Sequence, residues 1–199
     1  MRSVIKIVVC LPVLTGLLLA CSPAPVSSPE ALNESYRLAL ARTQDRTERY
    51  ASGSVREREA LAALSDYFAH MTGESVRQRT RLVYAEDAYL NDNLAFVEGV
   101  ESIEAYFQAA AGRAETIEVK FEDVARAGSE YYIRWQMTIV SSNLNGGNPM
   151  VSLGMTHFRL DADGRVLLHK DFWDAGTGLY EYLPGLGGLL RAVRGRVAH

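Results

Sequence analysis

Near Glu115 the hydrophobic pattern of this 199-residue chain changes period, and that change constrains its fold more than any other feature. Before it, Leu61, Leu64, Phe68 and Met71 recur at helical spacing across Arg56 to Met71, with Tyr67 beside the stripe and Gly73 placed to end the helix. A second stripe of Ile103, Tyr106, Phe107 and Ala110 predicts a helix over Glu101 to Ala111, after a turn at Gly99. Between them, Arg81 to Leu90 reads as short extended pieces. After Glu115, Ile117, Val119 and Phe121 alternate with Glu118, Lys120 and Glu122, the period of a half-buried strand. Further strands are expected over Tyr131 to Val140, Pro149 to Asp161 and Arg165 to Trp173. Ala127-Gly128-Ser129, Asn143 to Asn148 and Asp161 to Gly164 supply the hairpin connections. Helices first and strands second predict an α+β domain, an antiparallel meander with helices on one face.

The first twenty residues stand outside this pattern. Arg2 and Lys6 precede an uncharged stretch, Ile7 to Ala20, of apolar or small residues. Fourteen such residues fall short of the roughly 20 needed to span a bilayer, whereas the order of charge, apolar run and small residue is that of an export signal. Leu18-Leu19-Ala20-Cys21 resembles a bacterial lipobox, in which the cysteine is lipidated and begins the mature chain. That resemblance implies residues 1–20 as signal peptide, membrane attachment through Cys21, and, with Ser22 following, an outer-membrane lipoprotein facing the periplasm. Cleavage removes two positive charges and no negative ones, so the formal net charge falls from −3 to −5. An acidic balance excludes nucleic acid as a partner, because phosphate binding needs concentrated Lys and Arg. With Cys10 removed and Cys21 acylated, thiol catalysis is excluded too.

Residues 21–54 read as a tether, rich in Pro and Ser to Glu30, with an accessory surface helix of thin apolar stripe between Glu30 and Tyr50. Residues 55–175 carry the organised domain. Residues 176–199 form an amphipathic tail in which Leu186, Leu189, Leu190, Val193 and Val197 share a helical face, with Arg191, Arg194 and Arg196 nearby. Such a segment suits either an anionic membrane surface or packing on the domain, across a pocket mouth; the second is the commoner use of a short stripe.

Tyr67-Phe68, Tyr84 to Asp87, Gly99 with Ile103 and Tyr106-Phe107, and above all His169-Lys-Asp-Phe-Trp-Asp174 resemble the SnoaL-like, polyketide cyclase-like branch of the nuclear transport factor 2-like superfamily. The resemblance covers roughly Ala60 to Tyr182. It implies a curved antiparallel sheet wrapped on N-terminal helices, a cone-shaped, cystatin-like fold with an internal pocket. It also implies either a binding role or cofactor-free isomerase, cyclase or hydrolase chemistry on a small apolar ligand. A homodimer is compatible with it.

Strand parity places Tyr131, Ile133, Trp135, Met137 and Ile139 on one face, and Leu167, His169, Asp171 and Trp173 on one face. Candidate catalytic groups are therefore His169 and Asp171. Tyr84, Trp135, Met137, His157 and Trp173 are candidate ligand contacts, with Asp87, Asp92 and Asp174 as further carboxylates. Parity leaves open which of Asp171 and Asp174 points inward if the strand bulges near its end. A carboxylate in an aromatic pocket loses hydration, which favours proton transfer near neutrality. The same histidine and aspartate equally suit ligand binding without turnover or a fixed network that pins a loop. His157, His169 and Asp171 also satisfy a two-histidine, one-carboxylate metal set by type, but no close-spaced motif supports it. No metal or cofactor is expected.

Overall fold

The computed structural model describes residues 28–198, so Cys21 and the apolar segment before it lie outside the described residues. Helix α1 (Pro29–Thr43) is opened by Ser28, whose hydroxyl accepts from the Ala31 amide, with Pro29 in the first turn. Helix α2 (Val55–Ala69) is capped in the same way by Ser54 on the Glu57 amide, while the Glu57 carboxylate returns to the Gly53 amide. Gly73 does not end α2, which stops at Ala69. It begins a further helix, α3 (Gly73–Val83), capped by Thr72.

Then follow β1 (Tyr84–Asn91), β2 (Phe96–Glu98), α4 (Val100–Ala111), β3 (Thr116–Ala127), β4 (Glu130–Val140), β5 (Met150–Leu160) and β6 (Val166–Trp173). Gly99 holds a φ of 81° at the head of α4, a conformation that favours glycine. The six strands form one curved, open sheet in the order β2-β1-β6-β5-β4-β3. β3 to β6 are the expected meander. The sheet is nevertheless mixed rather than antiparallel, because β1 lies parallel to β6. Those two strands are far apart in sequence and share no hairpin, so no turn between them fixes an antiparallel sense.

The main core lies between α2, α3, α4 and the concave face of the sheet. Leu64, Tyr67, Phe68, Val76, Ile103, Phe107, Tyr131, Ile133 and Phe158 are all buried there. Edge-to-face rings, with Tyr67 and Phe68 5.0 Å apart, pack within this core. The outer face carries its own smaller core. Ala39 of α1 packs on Tyr89 and Leu168, with Tyr36, Leu40 and Phe96 around them. Ser35 Oγ bonds Tyr89 Oη at 2.8 Å, and the Glu48 amide donates to the Leu160 carbonyl at 2.8 Å. The helix expected as an accessory of the tether thus covers the back of the sheet, and the chain after it is joined to β5.

The tail leaves β6 through the short turn α5 (Ala175–Gly178) and ends in α6 (Leu186–Val197). Gly178 is buried where a Cβ would stand 2.8 Å from both Ser152 and the Trp173 ring. α6 packs on the turn Tyr180–Tyr182. Gly187 lies so close to the Glu181 carbonyl that a Cβ would come within 1.9 Å of it. Among the described residues no helix is long and apolar enough to cross a membrane.

Candidate active site

The concave face does not close completely. A cavity of about 420 Å³ remains among α4, β3, β4, β5 and β6. Its walls are mostly apolar: Phe68, Phe107, Ile117, Val119, Phe121, Trp135, Met137, Ile139, Phe158 and Trp173 all line it. Asp92, Arg113, His169 and Asp171 also reach it, together with the Tyr106 phenol. An apolar chamber with a few convergent polar groups is the usual form of a small-molecule site.

His169 and Asp171 lie two residues apart on β6 and so share its inner face. His169 Nε2 stands 2.9 Å from Asp171 Oδ1, and its Nδ1 is 2.7 Å from the Tyr84 hydroxyl. Tyr84 is fully enclosed, and burial pushes its phenol well above 10, so it remains a neutral donor. A hydroxyl donating to Nδ1 fixes the proton on Nε2, which donates to Asp171. A second chain of donors arrives from β4 and β5. The Trp135 indole N–H donates to Thr156 Oγ1 at 2.8 Å, and the Thr156 hydroxyl donates to Asp171 Oδ1. Both chains end on one oxygen. The other, Oδ2, accepts no hydrogen bond from the described residues, so the carboxylate is aimed while half of it stays uncommitted.

Gly154 makes this aim workable. It lies opposite Trp135 in the sheet, and a Cβ there would come within 2.4 Å of the indole ring and 2.9 Å of Trp173 Cβ. Only bare backbone lets the indole lie across β5 with its N–H on Thr156.

A second carboxylate comes from the loop after β1. Asp92 Oδ1 accepts from the Leu94 and Ala95 amides at 3.0 Å each, and Oδ2 accepts from the Tyr106 hydroxyl. The Asp92 carbonyl takes the Trp173 indole N–H at 2.7 Å. Burial raises the Asp92 pKa, opposed by the Tyr106 and amide hydrogen bonds and reinforced by the Asp171 charge. A raised folded-state pKa means that the contribution of Asp92 to stability is present at low pH and is lost as pH rises through that pKa. Asp92→Asn is therefore expected to melt a few degrees higher than wild type near neutrality, with the gain vanishing below about pH 4, where both forms are neutral. Paired thermal melts across that range check it; a variant less stable at neutral pH would show that the hydrogen bonds outweigh the charge.

The cavity thus brings together Trp135, Met137, His169, Asp171 and Trp173. Tyr84 stands behind His169 rather than against the cavity. His157 is a correction: it lies on the outer face, where its Nδ1 meets the Tyr36 hydroxyl at 2.8 Å and its Nε2 meets Glu130. The pairing of Tyr131 with Phe158 turns Phe158 inward and its neighbour His157 outward. The two histidines therefore sit on opposite sides of the sheet and cannot share a metal. Asp174 also faces away. It caps α5 through the Gly176 amide and the Thr177 hydroxyl, which leaves Asp171 as the inward carboxylate. Asp87 pairs with Arg46 at the surface. Among the described residues no three His, Cys, Asp or Glu side chains group to hold a metal ion. Tyr106 and Thr156 escape the sequence reading as polar participants: Tyr106 sits within an apolar helical stripe, and Thr156 is an ordinary β-branched strand residue.

The family model of the SnoaL-like domain matches residues 66–169, and the chain belongs to this family. Several solved structures share the fold. One, a protein with a ketosteroid isomerase-like fold from Catenulispora acidiphila in complex with trimethylamine, is 16% identical with a TM-score of 0.52, over 61% of this chain and 89% of that one. Another, TsrD from Streptomyces laurentii, is 13% identical with a TM-score of 0.52, over 68% of this chain and 100% of that one. An LEH-like epoxide hydrolase of M. tuberculosis is 17% identical with a TM-score of 0.50, over 70% and 93%. No curated protein matches the sequence.

Proposed function

We propose that this protein takes up a small, mostly apolar molecule and moves a proton on it with Asp171, without a cofactor, while held in a bacterial envelope by lipid on Cys21. The observation that carries the catalytic reading is the asymmetry of Asp171. Two donor chains fix Oδ1, whereas Oδ2 is left to the cavity. A network that served only to pin a loop would have no use for a carboxylate presented to an apolar chamber. Asp171 is the base; His169 orients it and, with Tyr84 behind, steadies its charge. Asp92, neutralised more easily than an ordinary carboxylate, is the group suited to return a proton or to donate to an oxygen of the ligand. The reaction class is proton abstraction beside a carbonyl, as in an isomerisation or ring closure.

The test is deuterium incorporation into a panel of alicyclic ketones and enones in D₂O, followed by NMR. Exchange by wild type that is lost in Asp171→Asn supports the reading, and ligand-induced thermal shifts without any exchange would leave only binding. Lipidation has a separate test. Cys21→Ser is expected to move the protein from the membrane fraction to the soluble one after a high-salt wash, and unchanged fractionation overturns the anchor.

A further inference from the structure

The last helix is unlike the rest of the molecule. The chain as a whole is acidic, at −3, yet α6 carries Arg191, Arg194 and Arg196 and no acidic residue. At 3.6 residues per turn, Leu186, Leu189, Val193 and Val197 fall on one face about 18 Å long. Among the described residues that face is largely uncovered beyond its first turn, where Leu186 is 39% exposed. Leu189 is 62% exposed, Val193 51% and Val197 82%. The opposite side does the packing. Gly187 rests on the Glu181 carbonyl, Arg191 donates to the same carbonyl at 3.0 Å, and Arg194 pairs with the Glu181 carboxylate. α6 is therefore held by its small and cationic side, with its leucines and valines turned outward.

We propose that α6 is an interfacial helix that lays this apolar face on an anionic lipid surface. Arg196 flanks the stripe on the side away from Glu181, where its aliphatic stem can lie along the bilayer while the guanidinium group reaches phosphate. Charge selects the partner. Two copies of the helix meeting face to face would bring no opposite charge, since α6 carries no acidic residue, whereas an anionic leaflet complements its arginines. The placement also has a use. Leu179 lines the cavity and is joined to α6 only through the turn on which α6 packs, so lipid contact through α6 keeps the cavity wall beside the membrane. The inference is independent of both lipidation and catalysis.

The test places one environment-sensitive fluorophore on α6 in the full chain, with Cys10 and Cys21 changed to serine. Val193→Cys carries it on the apolar face. Gly188→Cys carries it on the far side, where a Cβ meets no atom within 4 Å. On phosphatidylglycerol vesicles the label at 193 is expected to shift to the blue and lose several-fold of its quenching by aqueous iodide, while the label at 188 stays quenched. Phosphatidylcholine vesicles or high salt should weaken the effect, and Arg196→Glu should weaken it about tenfold. Because the readout is local to α6, attachment of the chain elsewhere leaves it unchanged. Equal quenching at both positions on phosphatidylglycerol overturns the proposal. So does shielding at 193 without vesicles, which would mean that protein covers the face.

Discussion

Asp171→Asn is expected to lower the rate of proton transfer by roughly 10²–10⁴-fold, the contribution of a well-placed general base. It should do so with little effect on stability. The amide has the shape of the carboxylate, and its oxygen still accepts from Thr156 and from His169 Nε2. Ligand affinity should change far less than rate, since most of the cavity wall is apolar and untouched. Tyr84→Phe makes the necessary contrast. It removes the 2.7 Å bond that fixes the tautomer of His169, and so disturbs the aim of the base without removing it. A partial loss there, beside a near-complete one at Asp171, identifies Asp171 as the reacting group and Tyr84 as a positioning residue. Equal losses, or a large fall in melting temperature for Asp171→Asn, would point instead to a network that merely holds β6 in place.

The second large effect concerns the outer face. Arg159→Ala is expected to destabilise the protein by about 3–5 kcal/mol, the range for breaking a buried ion pair by removing one partner. Arg159 is only 8% exposed and uses all three of its nitrogens. Nε and Nη2 hold Glu130 at 2.7–3.0 Å, while Nη1 reaches the Leu40 carbonyl at 2.6 Å and the Thr43 hydroxyl at 2.9 Å. Glu130 is kept below the usual carboxylate range despite its burial, chiefly by hydrogen bonds from Arg159 and His157. Removing the guanidinium leaves Glu130 with His157 alone and takes a donor from two groups of α1 at once. Denaturant unfolding measures the cost, and hydrogen exchange should show residues 29–43 opening before the sheet does. Lysine should rescue little, because a point charge cannot bridge a carboxylate and a helix end together. A loss below about 1 kcal/mol would show that α1 is held by its apolar contacts alone.

The sequence makes most of the concave side legible, because there burial and pattern coincide. Leu64, Phe68, Ile103 and Phe107 are apolar at helical spacing and buried, and Trp135, Met137, His169, Asp171 and Trp173 share inward parity. α3 escapes because the middle of its buried face is a threonine. Val76, Thr80 and Val83 point inward, and Thr80 satisfies its hydroxyl against Tyr67 and the Val76 carbonyl. The outer face is harder to read for the same reason. His157, Arg159 and Lys170 all alternate as solvent residues should, yet α1, the end of β1 and the loop after it cover them. Lys170, hydrogen-bonded to Asn91 and Asn93, has its pKa lowered by that burial. Polar residues at outward strand positions announce water unless something else is packed there, and a thin apolar stripe on α1 gave little sign of it.

Gly154 has a consequence for how such a cavity can change. The missing side chain lets the Trp135 ring lie flat, and the same ring steers Thr156, which in turn steers Asp171. Chamber volume and carboxylate direction are therefore not independent variables on the β5 side. A methyl group added there would alter both together. Met137 and Ile139, by contrast, line the chamber without a hydrogen bond in that relay, so a change of size there bears less on the aim of Asp171. The chamber has one hard wall and one soft wall, and ligand preference can drift along the soft one while the chemistry stays registered on the hard one.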